Sequence, residues 1–227
     1  MRRKWLRVAG GGIPLLASRP ASSGTKLVTP EQPEGPFYPV TGRAEKDVDL
    51  TRVEGVPGRA RGTIVHLHGS VRTVYGAPIA GALVEIWQAC ASGRYDHPED
   101  DNPAPLDPCF RYWGRALSGD RGGYGFVTVK PGAHPDEQGR MRPPHIHVHV
   151  IAPGFEPLTT QIYFAGEPLN AADDVLARVR REQRRLLAIA FDPIPNLPGH
   201  VTGSFDIVLG APISGTAGRA GPATAAR

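Results

Sequence analysis

The sequence predicts an all-β fold with long loops and one or two short surface helices. Two observations carry this expectation. The apolar runs are short, β-branched and alternating, and none approaches the roughly 20 residues of a membrane-spanning helix. They are punctuated by turn formers, 28 Gly and 24 Pro in 227 residues, a composition that favours many strands joined by tight turns over a helical bundle. A chain of this length buries a real core, as one large domain or two small ones. It carries no internal repeat.

Residues 1–24 read as a leader, residues 25–212 as the folded domain, and residues 213–227, rich in small residues, as a disordered tail. The leader pairs a basic cluster, Arg2-Arg3-Lys4-Trp5-Leu6, with a mildly apolar, Gly-rich run from Val8 to Ser18. That is the layout of a secretory signal, and the paired arginines resemble a twin-arginine export signal. The expected location is therefore exported or periplasmic, with a cytoplasmic protein bearing a basic N-terminus as the alternative. The leader also accounts for the charge. Arg2, Arg3, Lys4, Arg7 and Arg19 lie in it with no acid, so the net charge of +4 becomes 21 basic against 22 acidic residues without it. The basic sequence pI is then no sign of a nucleic-acid partner.

The elements follow in order. Thr29 to Pro39 contains four prolines; fixed φ angles make it an extended arm lying along a surface. Thr63 to Gly69 alternates like a strand and carries His66 and His68, which read as structural or solvated. Tyr75 to Pro78 is a turn, and Ala82 to Gln88 a strand with a core face. A long loop then runs from Cys90 to Phe110, and loops of that length without regular structure tend to be functional. Cys90 and Cys109 stand at its ends. In an exported protein they are most simply a disulfide clasping the loop, and in a cytosolic one two reduced thiols. Asp120 to Tyr124 turns into a strand over Gly125 to Val129, with Tyr124 read as packed. Further strands are expected at Leu158 to Phe164 and Ser204 to Leu209, with the short helices between Ala171 and Phe191.

The most informative stretch is Arg142-Pro143-Pro144-His145-Ile146-His147-Val148-His149-Val150. Alternate side chains of a strand share a face, so the three histidines stand in a row while Ile146, Val148 and Val150 enter the core. Neighbouring imidazoles on one strand face can converge on one metal ion, histidine being the commonest metal ligand.

Several segments together resemble one family. They are Gly35-Pro36-Phe37-Tyr38, Val84-Glu85-Ile86-Trp87-Gln88, Gly93-Arg94-Tyr95, Pro105-Leu106-Asp107-Pro108, Lys130-Pro131-Gly132, Arg142 to His147, and Thr160-Gln161-Ile162-Tyr163-Phe164. In that order they resemble the intradiol ring-cleavage dioxygenases, most of all the catalytic subunits of protocatechuate 3,4-dioxygenases. The resemblance spans about Thr29 to Leu209. It implies a β-sandwich core and one Fe(3+) per chain, held by two tyrosines and two histidines. It also implies a small aromatic diol and O2 as substrates, cleaved to a ring-opened diacid, and either self-assembly or pairing with a homologous subunit.

Residue by residue, the family's first tyrosine matches Tyr95 and its histidines match His145 and His147. Its arginine matches Arg142, and its glutamine matches Gln161. The second, axial tyrosine should fall in the turn after Lys130-Pro131-Gly132, where this chain has His134. Fe(III) is a hard cation that favours anionic oxygen, and metal bonding favours the phenolate of Tyr95. Histidines supply neutral nitrogen. Arg142 stabilises charge on the ring because guanidinium stays protonated, and Gln161 orients substrate or oxygen. An imidazole at 134 can act both as ligand and as base, but one phenolate fewer makes the ferric state less favoured. Tyr163 is expected to line the pocket, His149 to lie just outside the ligand set, and His97 to point into the loop. A non-catalytic alternative is an exported β-sandwich that binds a metal, or that binds carbohydrate or protein with Trp87, Trp113 and Tyr112 as a stacking surface.

Overall fold

The computed structural model describes residues 25–40 and 47–213. The segments expected as a leader, residues 1–24, and as a tail beyond Ile213 lie outside the described residues. Twelve strands follow one another among the described residues: β1 (Ile64–Thr73), β2 (Leu83–Trp87), β3 (Trp113–Leu117), β4 (Gly123–Val129), β5 (His134–Pro135), β6 (Met141–Arg142), β7 (His145–Ile151), β8 (Leu158–Phe164), β9 (Ala188–Ile189), β10 (Asp192–Pro193), β11 (His200–Ser204) and β12 (Ile207–Leu209). A one-turn helix, α1 (Asp174–Ala177), lies between two short 3-10 turns before β9. The expected all-β sandwich with minimal helix is the fold observed.

One sheet runs β10-β11-β1-β12, with β4 also on β1. β1 pairs antiparallel with β4 and parallel with both β11 and β12, which follow each other along one edge of it. Where β11 hands over to β12 the chain presses on Gly69: a Cβ there would clash with the Phe205 carbonyl, and Asp206 accepts from the Ser70 amide and hydroxyl at 2.9 and 2.7 Å. The second sheet runs β3-β2-β7-β8-β9. Its inner face supplies Val84, Ile86, Ile146, Val148, Val150 and Ile162, all fully buried against residues of the first sheet in one apolar core. Burying each such side chain stabilises the fold by about 1.5–3 kcal/mol. Gln88, just beyond β2, ties the sheets together, donating to the Val129 carbonyl at 2.9 Å and accepting from the Thr128 hydroxyl at 2.8 Å.

The expected Cys90–Cys109 disulfide is not formed; both are free thiols. The buried Cys90 sulfur lies 3.1 Å from the Ser92 hydroxyl, whereas the Cys109 sulfur donates to the Pro57 carbonyl at 3.5 Å. Hydrogen bonds brace the loop instead. Arg94 Nη1 donates to the Ala104 carbonyl at 3.0 Å, Asn102 Nδ2 to the Gly93 carbonyl at 2.9 Å, and Ser92 Oγ to the Pro105 carbonyl at 2.7 Å. His66 is half-buried, its Nε2 2.9 Å from His200 Nδ1, and His68 is exposed. The Tyr124 hydroxyl donates to the Phe205 carbonyl at 2.6 Å, as suits a packed residue. Among the described residues no helix is long and apolar enough to cross a membrane.

Candidate active site

The outer face of β7 and β8 carries the site. Strand alternation puts His145 and His147 on that face, and the antiparallel register sets Tyr163 opposite His145 and Gln161 opposite His147. All four are buried. Trp87 at the end of β2 stacks on His147, ring centroids 4.8 Å apart and planes within 12°, which fixes the imidazole orientation. Tyr95 comes from the long loop, its amide donating to Asp100 Oδ2 at 2.6 Å. Gly93 seats that loop: at φ +86° its Cα faces the Ala133 carbonyl, where a Cβ would clash. The turn carrying His134 is thereby held directly against the loop carrying Tyr95.

Three donor atoms converge. His145 Nε2 and His147 Nε2 are 3.2 Å apart, and the Tyr95 hydroxyl lies 3.1 Å from the latter and 3.5 Å from the former. His145 Nδ1 is 2.8 Å from the Pro143 carbonyl, an acceptor only, so Nδ1 carries the proton and the Nε2 lone pair points into the cluster. His147 Nδ1 is buried with no hydrogen-bond partner. Burial first, and the Arg142 charge second, hold both histidines well below their ordinary pKa, hence neutral. Burial raises the Tyr95 phenol above its ordinary range against the opposing pull of Arg142. Two neutral imidazoles and a phenol converging in a dry site are the donor chemistry of a metal centre, and a cation is what makes the phenolate favourable there.

His134 lies beside this triangle. It is buried, its ring 5.1 Å from that of Tyr95, edge-on, and 5.0 Å from that of His145. Burial, aided by Arg142, lowers its pKa to about 4. Among the described residues no three His, Cys, Asp or Glu side chains group closely enough to hold a metal ion, so the convergent set is the tyrosine with two histidines, and His134 stands at its edge.

Arg142 anchors the floor. It donates to Asp173 at 2.9 and 3.3 Å, to Gln161 Oε1 at 3.0 Å, to the Tyr163 hydroxyl at 3.1 Å and to His145 Nε2 at 3.2 Å. Asp173, also the N-cap of α1 through the Leu176 amide at 2.7 Å, escaped the sequence reading, as did Gln32, whose Nε2 donates to the Tyr163 hydroxyl at 3.3 Å. The only local hint of Asp173 was an Asp three residues before an apolar position, a capping pattern shared by many surface helices. The extended arm walls the cleft: the Pro33 carbonyl accepts from Gln161 Nε2 at 3.0 Å, and Phe37 packs on Tyr95 with centroids 4.7 Å apart. The His97 ring lies 5.7 Å from that of Phe37, tilted by 54°. His149, further along the same face of β7, lies 2.9 Å from the Thr159 hydroxyl. Trp87 is 1% exposed, so the aromatic stacking surface of the binding-module alternative is not formed.

A family model described as a dioxygenase matches residues 33–211. The protocatechuate 3,4-dioxygenase beta chain of Burkholderia cepacia is 38% identical over 178 residues, 77% of this chain and 76% of that protein. A catechol 1,2-dioxygenase of Pseudomonas sp. (strain EST1001) is 36% identical over 160 residues, 66% of this chain and 51% of its own. The chain thus spans about half the length of that relative. Among solved structures, the dioxygenase domain of a dioxygenase–carbohydrate-binding protein fusion from Streptomyces sp. SirexAA-E superposes with a TM-score of 0.62 at 29% identity, over 81% of this chain and 99% of that one. Catechol 1,2-dioxygenase from Acinetobacter sp. ADP1 gives 0.63 at 26%, over 80% and 62%. A two-sheet sandwich with this match along its length is of the dioxygenase class. The chain belongs to the intradiol ring-cleavage dioxygenase family.

Proposed function

We propose that the protein is an intradiol dioxygenase that opens a catechol-type ring between its two hydroxylated carbons, using O2 and one ferric ion. The observation that carries this reading is the convergence of Tyr95 Oη, His145 Nε2 and His147 Nε2 within 3.5 Å of one another. These three residues would hold the iron, with His134 beside them, its ring 5.0 Å from that of His145, in the position where the resemblance places a second tyrosine. When bound, the iron supplies a Lewis-acidic centre that draws charge from the diol and primes its ring for O2. The protein's own groups do the rest. His134, neutral at physiological pH, is placed to accept a hydroxyl proton. Arg142, fixed by Asp173, presents permanent positive charge toward negative charge building on the ring. Gln161, pinned between Arg142 and the Pro33 carbonyl, presents a fixed amide to substrate or oxygen. The overall change is catechol plus O2 to a muconate-type diacid.

The test is metal analysis of aerobically purified protein. One iron per chain is expected, and His147→Ala should lose it, because a site built on three converging donors has little to fall back on. Full iron retention in that variant would sink the ligand assignment. Export remains a proposal that rests on residues 1–24 alone; the unjoined cysteines lend it nothing.

A further inference from the structure

We propose that the cleft selects its catechol by the charge of the ring substituent, taking neutral or cationic substituents in preference to carboxylates. This rests on the intradiol reading above and narrows its substrate class. The cleft has a volume of about 810 Å³, toward the upper end of small-molecule sites, so a ring seated at Tyr95 and His147 leaves room for a substituent directed at the mouth. Seven carboxylates and three guanidiniums line it. The guanidiniums are largely spent. Arg142 is paired with Asp173, 1% exposed, and its Nη2 also donates to Gln161 and Tyr163; only the Nη1 contact with His145 Nε2 would be given up to iron. Arg140 lies between Asp136, at 2.8 Å, and Asp174, one positive charge against two negative. Glu99, Asp101 and Glu137 are exposed and form no ion pair among the described residues, against Arg178 alone on the positive side.

A ferric ion with the Tyr95 phenolate would add two positive charges at the floor, and a doubly deprotonated diol would offset them, leaving one positive charge where His134 keeps a diol proton. The substituent therefore meets a mouth whose sign is negative. A carboxylate there is repelled, and the floor offers it only Arg142, whose charge Asp173 already neutralises, whereas an ammonium is attracted; partial solvation limits the effect to about an order of magnitude and makes it salt-dependent.

The experiment compares three catechols of matched length, substituted at the 4-position with propyl, 2-aminoethyl and 2-carboxyethyl groups. Binding to the iron-loaded protein is titrated without O2, and kcat/KM is measured with it, at low and high salt. The carboxylate is expected to bind about tenfold more weakly than the propyl compound and the amine at least as tightly. The gap should shrink at high salt and in the triple variant Glu99→Gln, Asp101→Asn, Glu137→Gln. Equal or tighter binding of the carboxylate overturns the proposal, most directly if Arg178→Gln then abolishes that preference. If none of the three is cleaved, the intradiol reading fails, while the order of anaerobic binding still decides charge selectivity.

Discussion

At the scale of single residues, position 134 distinguishes this site from the pattern its family resemblance implies. An imidazole reaches less far than a phenol and brings no negative charge. Its ring lies about 5 Å from both Tyr95 and His145, at the edge of the converging donors. In His134→Tyr the longer phenol is expected to reach the iron, and the visible phenolate-to-iron absorption of the protein should strengthen. An unchanged spectrum would mean that position 134 does not approach the metal and that the proton acceptor lies elsewhere. How legible these residues were depended on how local their signals are. His145 and His147 declare their shared face by alternation within one strand. Tyr95 sits in a loop with no periodicity, so only its flanking Gly93-Arg94 pattern marked it. Asp173 is 31 residues from Arg142, and nothing near either one announces the pair; the fold alone joins them. The cysteines misled because proximity to one loop is not bonding geometry.

At the scale of elements, the site depends on three pieces of irregular backbone meeting the regular face of β7 and β8. The Tyr95 loop and the His134 turn are joined by contacts that leave no space for side chains, and the arm packs on the loop through Phe37. Gly93 is the tightest of them, combining φ +86° with an abutting Ala133 carbonyl. Gly132 reinforces it, since a Cβ there would lie 2.5 Å from the Gly93 amide nitrogen. Gly93→Ala must strain its own backbone and push the His134 turn away. A loss of about 2–4 kcal/mol in urea unfolding is expected, from the left-handed conformation and the displaced neighbour together, along with iron loss out of proportion to it. Wild-type stability in that variant would show that loop and turn are not locked as described. Strands were the readable elements here, because burial on one face writes a period of two. The two-residue strands β5 and β6, which place His134 opposite Arg142, are too short to write any period.

At the scale of the whole molecule, three histidines are kept neutral inside a protein whose unfolded chain would protonate them near pH 6.5. For His134 the folded value falls to about 4, and for His145 and His147 it lies well below 6.5. The unfolded state therefore binds more protons between these values, so stability is complete above pH 6.5 and is lost as pH falls toward 4. His134 alone accounts for about 3 kcal/mol of that loss, at about 1.4 kcal/mol per pH unit. Denaturant unfolding of iron-free protein at pH 7 and pH 4.5 should show the decline, and His134→Gln should flatten it. A pH-independent midpoint would contradict the burial of neutral imidazoles. The all-β character at this scale was evident from turn density, but the order of strands was not, because parallel pairing joins segments that share no local pattern.

That parallel pairing has a consequence for how the protein comes into being. β1 is complete by Thr73, yet its partners β11 and β12 begin only at His200 and Ile207. Closing so long a loop costs entropy before any ladder bond repays it, so folding is slow and the last strands decide it. On the ribosome, β1 must wait with one edge unpaired until nearly the whole chain has emerged. The second sheet has no such delay, since β2, β3, β7 and β8 lie within an 82-residue span from Leu83 to Phe164. The strands of the histidine face have all emerged before the partners that close the sandwich, so the nascent chain is expected to pass a stage in which His145 and His147 stand assembled but unsheltered.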